Sequence, residues 1–182
     1  MTYTLPKSVE VNGREYEIRS DFRAILDILE AINDTELTDQ KRAYVVLDIF
    51  YPQFAEMREG DYEEAISRCL WFINGGQEDN GKKLKKVMDW QQDFPLVVAP
   101  INRVIGYEIR AVEYLHWWTL LAAYQEIGGD CTFAQVVSIR QKLASGKQLD
   151  KSDREFYRRN RDMIDLKQRY TDAEVDFIRQ WT

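Results

Sequence analysis

Two cysteines and one histidine are all that 182 residues contain of the side chains that most often bind metals or pair as nucleophile and base. So few cysteines exclude a disulfide scaffold, and a single histidine excludes the two-histidine H-E-x-x-H zinc motif. Cys69, in RCLWF, and Cys131, in DCTF, lie beside apolar residues and read as reduced, partly buried thiols. A zinc site would have to gather both cysteines, His116 and a carboxylate across long separations. A His116–Cys131 dyad has no sequence-adjacent group to orient its imidazole. His116 instead reads as the edge of a helix packing surface, with one ring nitrogen bonded locally. Proline (4) and glycine (9) are sparse, which leaves room for long regular elements. Neither a G-x-G-x-x-G nor a P-loop motif is present, and the pairs Gly75–Gly76 and Gly128–Gly129 read as helix stops. No run of eighteen apolar residues offers a membrane span. The start, MTYTLPKSVEVNG, lacks a basic segment followed by an apolar one, so no signal peptide is expected. These absences predict a soluble, intracellular protein with no catalytic residue, no cofactor, no metal and no membrane partner.

What is present is globular: 45% hydrophobic and 13% aromatic residues, well outside the composition of disordered chains. The net charge of -6 is unevenly spread. Residues 1–139 carry 14 basic against 23 acidic side chains, a balance of -9, while 140–169 carry 10 against 5, a balance of +5. An acidic body with one basic strip suits self-association or an acidic partner. Non-specific nucleic-acid binding calls for a stronger positive field.

The pattern along the chain is mainly α: a compact multi-helix bundle with a short N-terminal β-hairpin, read as a single helical domain over 1–182. Val9–Val11 and Glu15–Ile18 flank Asn12–Gly13, the favoured pair for a primed turn because both positions need positive φ. Ser20 or Asp21 can cap a helix in which Phe22, Ile25, Leu26, Leu29 and Ile32 recur at helical spacing. Thr38 can cap a second helix that stops at Tyr51–Pro52. A third runs from near Asp61 to Ile73 and breaks at Asn74-Gly75-Gly76. The polar stretch within 74–88 reads as an exposed loop and the best candidate hinge. Pro95 and Pro100 predict a kinked or split helix, with Asp93 as an alternative cap. A long amphipathic helix is expected from about Ala111 to Ile127. Thr132 is the expected cap of the next helix, and Ser152–Glu155 fits a capping box before another. Thr171–Glu174 repeats that device before a last helix carrying Val175, Phe177, Ile178 and Trp181.

Two features stand out as candidate protein-interaction residues. Trp117 and Trp118 are adjacent, so they cannot share one narrow helix face. Core burial is the reading for both, and Trp118 is the one offered to a partner, where tryptophan is favoured. Arg154, Arg158, Arg159 and Arg161 form a basic strip beside Phe156 and Tyr157. The alternative is a solvated face braced by Asp150, Asp153, Glu155, Asp162 and Asp165. Phe133–Tyr157 only loosely imitates a helix-turn-helix, since its connection is long.

The motifs LPKSVEVNGREYEIRSDFRAIL, QQDFPLVVAPINRVIGYEI, YLHWWTLLAAY, FAQVVSIRQKLASGK and SDREFYRRNR, spread from Leu5 to Arg161, resemble a tailed-phage family encoded beside the tape-measure gene. Its members are regarded as tail assembly chaperones of long-tailed phages or prophages. The resemblance implies a non-catalytic protein that binds the tape-measure protein, with the major tail protein as a further partner and homo-oligomer formation open. It implies work in the host cytoplasm and absence from the mature virion. By position, Leu115–Trp118 would be the family's core signature. Two other classes stay open: a structural connector or virion component, and a DNA-binding packaging or regulatory protein using 140–169.

Overall fold

In the computed structural model of the protein, residues 4–78 and 85–167 are described. The middle of the expected hinge, 79–84, and the expected C-terminal helix lie outside them. The described residues form an N-terminal antiparallel hairpin and eight α-helices. Contacts group the chain into two compact units. One holds residues 4–78 and 113–121, the other 85–112 and 122–167.

The first unit opens with β1 (Ser8–Val11) and β2 (Arg14–Glu17), paired in the register Val9↔Tyr16 and Glu10↔Glu15. Asn12 (φ 47°) and Gly13 (φ 80°) make the expected primed turn. Alternation buries Val9, Val11 and Tyr16, and β1 packs on α3, so the helices supply the support that two strands lack alone.

Helix α1 (Phe22–Ile32) is capped by Asp21, whose carboxylate accepts from the Arg23 N–H. Its buried stripe is Phe22, Ile25, Ile28 and Ile32; Leu26 and Leu29 are half-buried, so the face is turned from the expected one. Thr38 caps α2 (Asp39–Phe50). The buried Arg42 closes the α1–α2 connection by donating to the carbonyls of Asp34 and Leu37. Two short 3-10 turns lead into α3 (Tyr62–Ile73), which buries Ala65, Ile66, Cys69, Leu70 and Phe72 as its spacing predicts. Burial holds the Cys69 thiol far above its ordinary titration range, so it stays protonated.

In the second unit, α4 (Trp90–Ile105) is one uninterrupted helix despite Pro95 and Pro100. Its cap is Asp89, four residues before the expected Asp93, and Gly106 ends it at φ 90°. Packing overrides the proline cost of roughly 3 kcal/mol each: Val97, Val98, Pro100 and Ile101 are all buried. The expected long helix over 111–127 is shorter, α5 (Trp117–Gln125), and its last turn belongs to this unit. The chain before it is irregular because it closes on local ties. The Asn102 side chain accepts from the Ile109 N–H and donates to Glu108. Helix α6 (Thr132–Ala144) is capped not by Thr132 but by the Cys131 sulfur, which accepts from the Ala134 N–H at 3.4 Å. Helix α7 (Lys151–Arg159) starts at Asp150, not Ser152, because the Asp150 carboxylate takes the Asp153 N–H at 2.8 Å. A last turn, α8 (Arg161–Ile164), completes a core in which Val136, Ile139 and Ile164 meet Leu96, Leu149, Phe156, Tyr157 and Met163.

Candidate interaction surface

The Leu115–Trp118 block is a knot in the first unit. Helix α3 leaves its last four carbonyls without helical partners, and each is satisfied. The Asn74 N–H bonds Leu70, the Gly76 N–H bonds Trp71 and the Gly75 N–H bonds Phe72, a Schellman closure with Gly75 at φ 69°. The indoles finish it: Trp118 donates Nε1–H to the Phe72 carbonyl at 2.8 Å, and Trp117 donates to that of Ile73 at 2.9 Å. Two adjacent tryptophans thus reach two adjacent carbonyls, which is why the pair can diverge from one helix face and still serve one purpose.

The block is also sewn to the residues before α1. The Leu115 N–H donates to Asp21 Oδ2 at 2.9 Å, while Asp21 Oδ1 caps α1. The Phe22 and Trp117 N–H groups donate to the carbonyls of Leu115 and Ser20. His116 is buried; its Nδ1 accepts from the Trp118 N–H at 3.0 Å, so Nε2 carries the hydrogen that it gives to the Pro6 carbonyl at 2.9 Å. Burial lowers the imidazole's pKa, which keeps it neutral. Both ring nitrogens are therefore committed to main chain, one more than the sequence suggests. The segment SDF at 20–22 and the block LHWW at 115–118 are physical partners, although some ninety residues separate them.

The candidate side chains divide. Trp117 is buried at 1% exposure. Trp118 is half-buried, stacked on Phe72 and edge-on to Trp71, itself half-buried. Trp71 is a part of this aromatic surface that sequence spacing did not single out. A side chain at Gly76 would place its Cβ 2.8 Å from the Trp118 ring, and φ is 82° there, so glycine permits both the turn and the indole. Arg154, Arg158, Arg159 and Arg161 are all exposed on α7 and α8. Arg161 pairs with Asp165 at 3.0 Å. Among the described residues Arg154 makes a 3.3 Å bond to the Asp150 carbonyl. Among the described residues no ion pair joins Arg154, Arg158 or Arg159 to a carboxylate, since Asp153 is taken by Lys142 and Asp165 by Arg161 and the Tyr157 hydroxyl.

One basic residue counted in the 140–169 strip is not surface at all. Arg140 is 5% exposed and spends all five of its N–H donors. Two go to Asp93 (2.6 and 2.9 Å), and one each to the carbonyls of Ile164, Met163 and Val87. Asp93, fully buried, also accepts from the Asp89 N–H at 2.9 Å. This cluster ties α4, α6 and α8. The signal available in sequence was Arg140 within an apolar helix pattern, matched by Asp93 in another.

Large apolar side chains remain in solvent on each unit: Leu5, Tyr44 and Tyr114 on the first, Val104, Tyr107 and Leu143 on the second, at 41–57% exposure. No helix among the described residues is long and apolar enough to cross a membrane. A family model described as Bacteriophage Gp15 protein matches residues 1–166. No curated protein and no solved structure matches the chain.

Proposed function

The chain belongs to the Bacteriophage Gp15 protein family, and from that premise we propose that this phage protein is a non-catalytic tail assembly chaperone that binds the tape-measure protein. The observation that carries the reading is the set of large apolar residues exposed among the described ones, on an acidic chain of a phage family. Apolar contact supplies affinity for hydrophobic helical stretches of a client, and a charged surround keeps the complex soluble and limits self-aggregation. Several copies along one long client add their affinities, so each contact can be modest. The half-buried Trp71–Trp118 pair is the aromatic surface best suited to anchor such a contact, because tryptophan gains most from burial at an interface. The major tail protein is the second partner of this reading, and the host cytoplasm its place of work.

Co-expression with a tape-measure protein from the same phage tests the proposal. The expected result is more soluble tape-measure protein, a complex that co-purifies, and absence of this chain from mature particles. Abundant incorporation into virions with no such complex overturns it in favour of a structural component. Salt-sensitive DNA binding without a tail partner overturns it in favour of a packaging or regulatory role.

A further inference from the structure

The exposed face of α7 is mainly basic, with Glu155 as its one acidic member. Lys151, Arg154 and Arg158 follow each other at i, i+3 and i+7, all exposed, forming a stripe about 10 Å long at 1.5 Å per residue. The opposite side of the helix is occupied, with Phe156 and Tyr157 packed on the Val136–Ile139–Ile164 core. The stripe is therefore held in place by its own unit while its charges face solvent, and among the described residues no carboxylate pairs with them.

The hairpin presents the reverse. Strand alternation places Ser8, Glu10, Glu15 and Glu17 on its outer face, with Glu10 directly opposite Glu15 in the register. All three glutamates are exposed. No lysine or arginine of β1 or β2 shares that face: Arg14 lies over the Tyr16 ring, 5.0 Å from its centroid, on the other side. Glu15 accepts from Ser8 and Glu17 from Gln53, both neutral donors. Like charges directly opposite in a strand pair are destabilising, so this face gains from an external cation. An open depression lined by Ser8, Val9, Glu10, Gly13 and Glu15 lies between the carboxylates. Glu15 and Glu17 stand roughly 7 Å apart along the strand and Glu10 about 5 Å across, a spread that the 10 Å stripe covers.

We infer that the α7 stripe of one copy of this chain docks on the outer hairpin face of a second copy, with Arg154 and Arg158 set against Glu10, Glu15 and Glu17. Charge and dimensions match, and among the described residues no ion pair engages Arg154, Arg158 or the three glutamates. The inference stands apart from the tape-measure reading, because it concerns the chain alone. Exposed ion pairs are individually weak, so the contact is low in affinity and sensitive to salt.

Sedimentation velocity over a concentration series, in about 10 mM and about 1 M salt, tests it; the screening length falls from roughly 30 Å to roughly 3 Å between them. Self-association at low salt that disappears at high salt is expected. Arg154→Glu with Arg158→Glu weakens it at least about tenfold, and so does Glu10→Lys with Glu15→Lys. All four positions are exposed, and circular dichroism checks that each variant keeps its fold. Mixing the two reversed proteins restores association, since the acidic hairpin of one then meets the basic helix of the other. A wild-type chain that is monomeric at low salt overturns the inference, as does association untouched by either reversal or a mixture that stays monomeric.

Discussion

The two units solve the same problem with different chemistry. In the first, the end of α3 is closed by neutral donors: backbone N–H groups of a Schellman turn and two indole N–H groups. In the second, the carbonyls of Ile164, Met163 and Val87 converge on a guanidinium that is itself neutralised by a buried carboxylate. Neutral closure costs little desolvation and adds the apolar contact of two large rings. Ionic closure gathers more acceptors at one point, but it holds only while every member is present, because a lone buried charge is far worse than none. The first unit should therefore weaken in steps as its parts are removed, and the second should fail at once.

The largest effect is expected at Arg140. Arg140→Ala leaves Asp93 charged and buried and strands three carbonyls, a loss of about 3–5 kcal/mol, at the upper end because several groups are orphaned together. Replacing Asp93 and Arg140 together by apolar residues of similar volume should recover most of it. Urea unfolding with Trp90 as reporter, Trp71, Trp117, Trp118 and Trp181 all being replaced by phenylalanine, reads this unit. A double variant no more stable than Arg140→Ala would mean that the three carbonyl bonds, not the ion pair, carry the cluster.

Next comes Trp117→Ala, which removes a fully packed indole and its bond to Ile73, at about 3–5 kcal/mol. Trp117→Phe should keep roughly half of that stability by retaining the ring contact. Smaller again is Gly76→Ala. Its φ of 82° and a Cβ placed 2.8 Å from the Trp118 ring predict about 1–3 kcal/mol and a shift in Trp118 fluorescence. An unchanged melting temperature and spectrum would show that the α3 terminus tolerates a reopened turn.

The difference between the units also explains what could be read in the sequence. Local chemistry was legible: the Asn12–Gly13 turn, the Thr38 cap and the buried positions of α3 all follow from residue type and spacing. Exposure of Arg154, Arg158 and Arg159 followed from polarity alone. Elements decided by distant partners were not legible. The helix expected from Ala111 begins only at Trp117 because Leu115 and Trp117 give their N–H groups to Asp21 and Ser20. Arg140 looked like part of a surface strip because its partner Asp93 lies 47 positions away. The Cys131 and Asp150 caps were missed by one and two residues, since serine and threonine nearby offered equally good local chemistry.

The smallest effect sharpens the comparison most, because it separates the units by pH. His116 is buried and neutral in the first unit, with Nδ1 accepting from Trp118 and Nε2 donating to Pro6. Its folded pKa lies below its ordinary value because of burial, opposed by the bond to Pro6. The unfolded chain, with an ordinary imidazole pKa of about 6.5, therefore binds a proton that the folded chain refuses. Stability from this group is complete above that value and declines as pH falls through it, with a slope of at most about 1.4 kcal/mol per pH unit. A protonated ring also loses the acceptor that holds the Trp118 N–H. Urea midpoints of the wild type and His116→Asn between about pH 7.5 and pH 5 isolate the contribution, because carboxylate effects cancel in the difference. Asparagine keeps an acceptor for the start of α5 but cannot titrate, so the variant should lose the acid-side decline that the wild type shows, and a background with Trp90 and Trp181 replaced by phenylalanine reads it from the first unit. Parallel pH curves for both proteins would show that the first unit is not linked to histidine protonation.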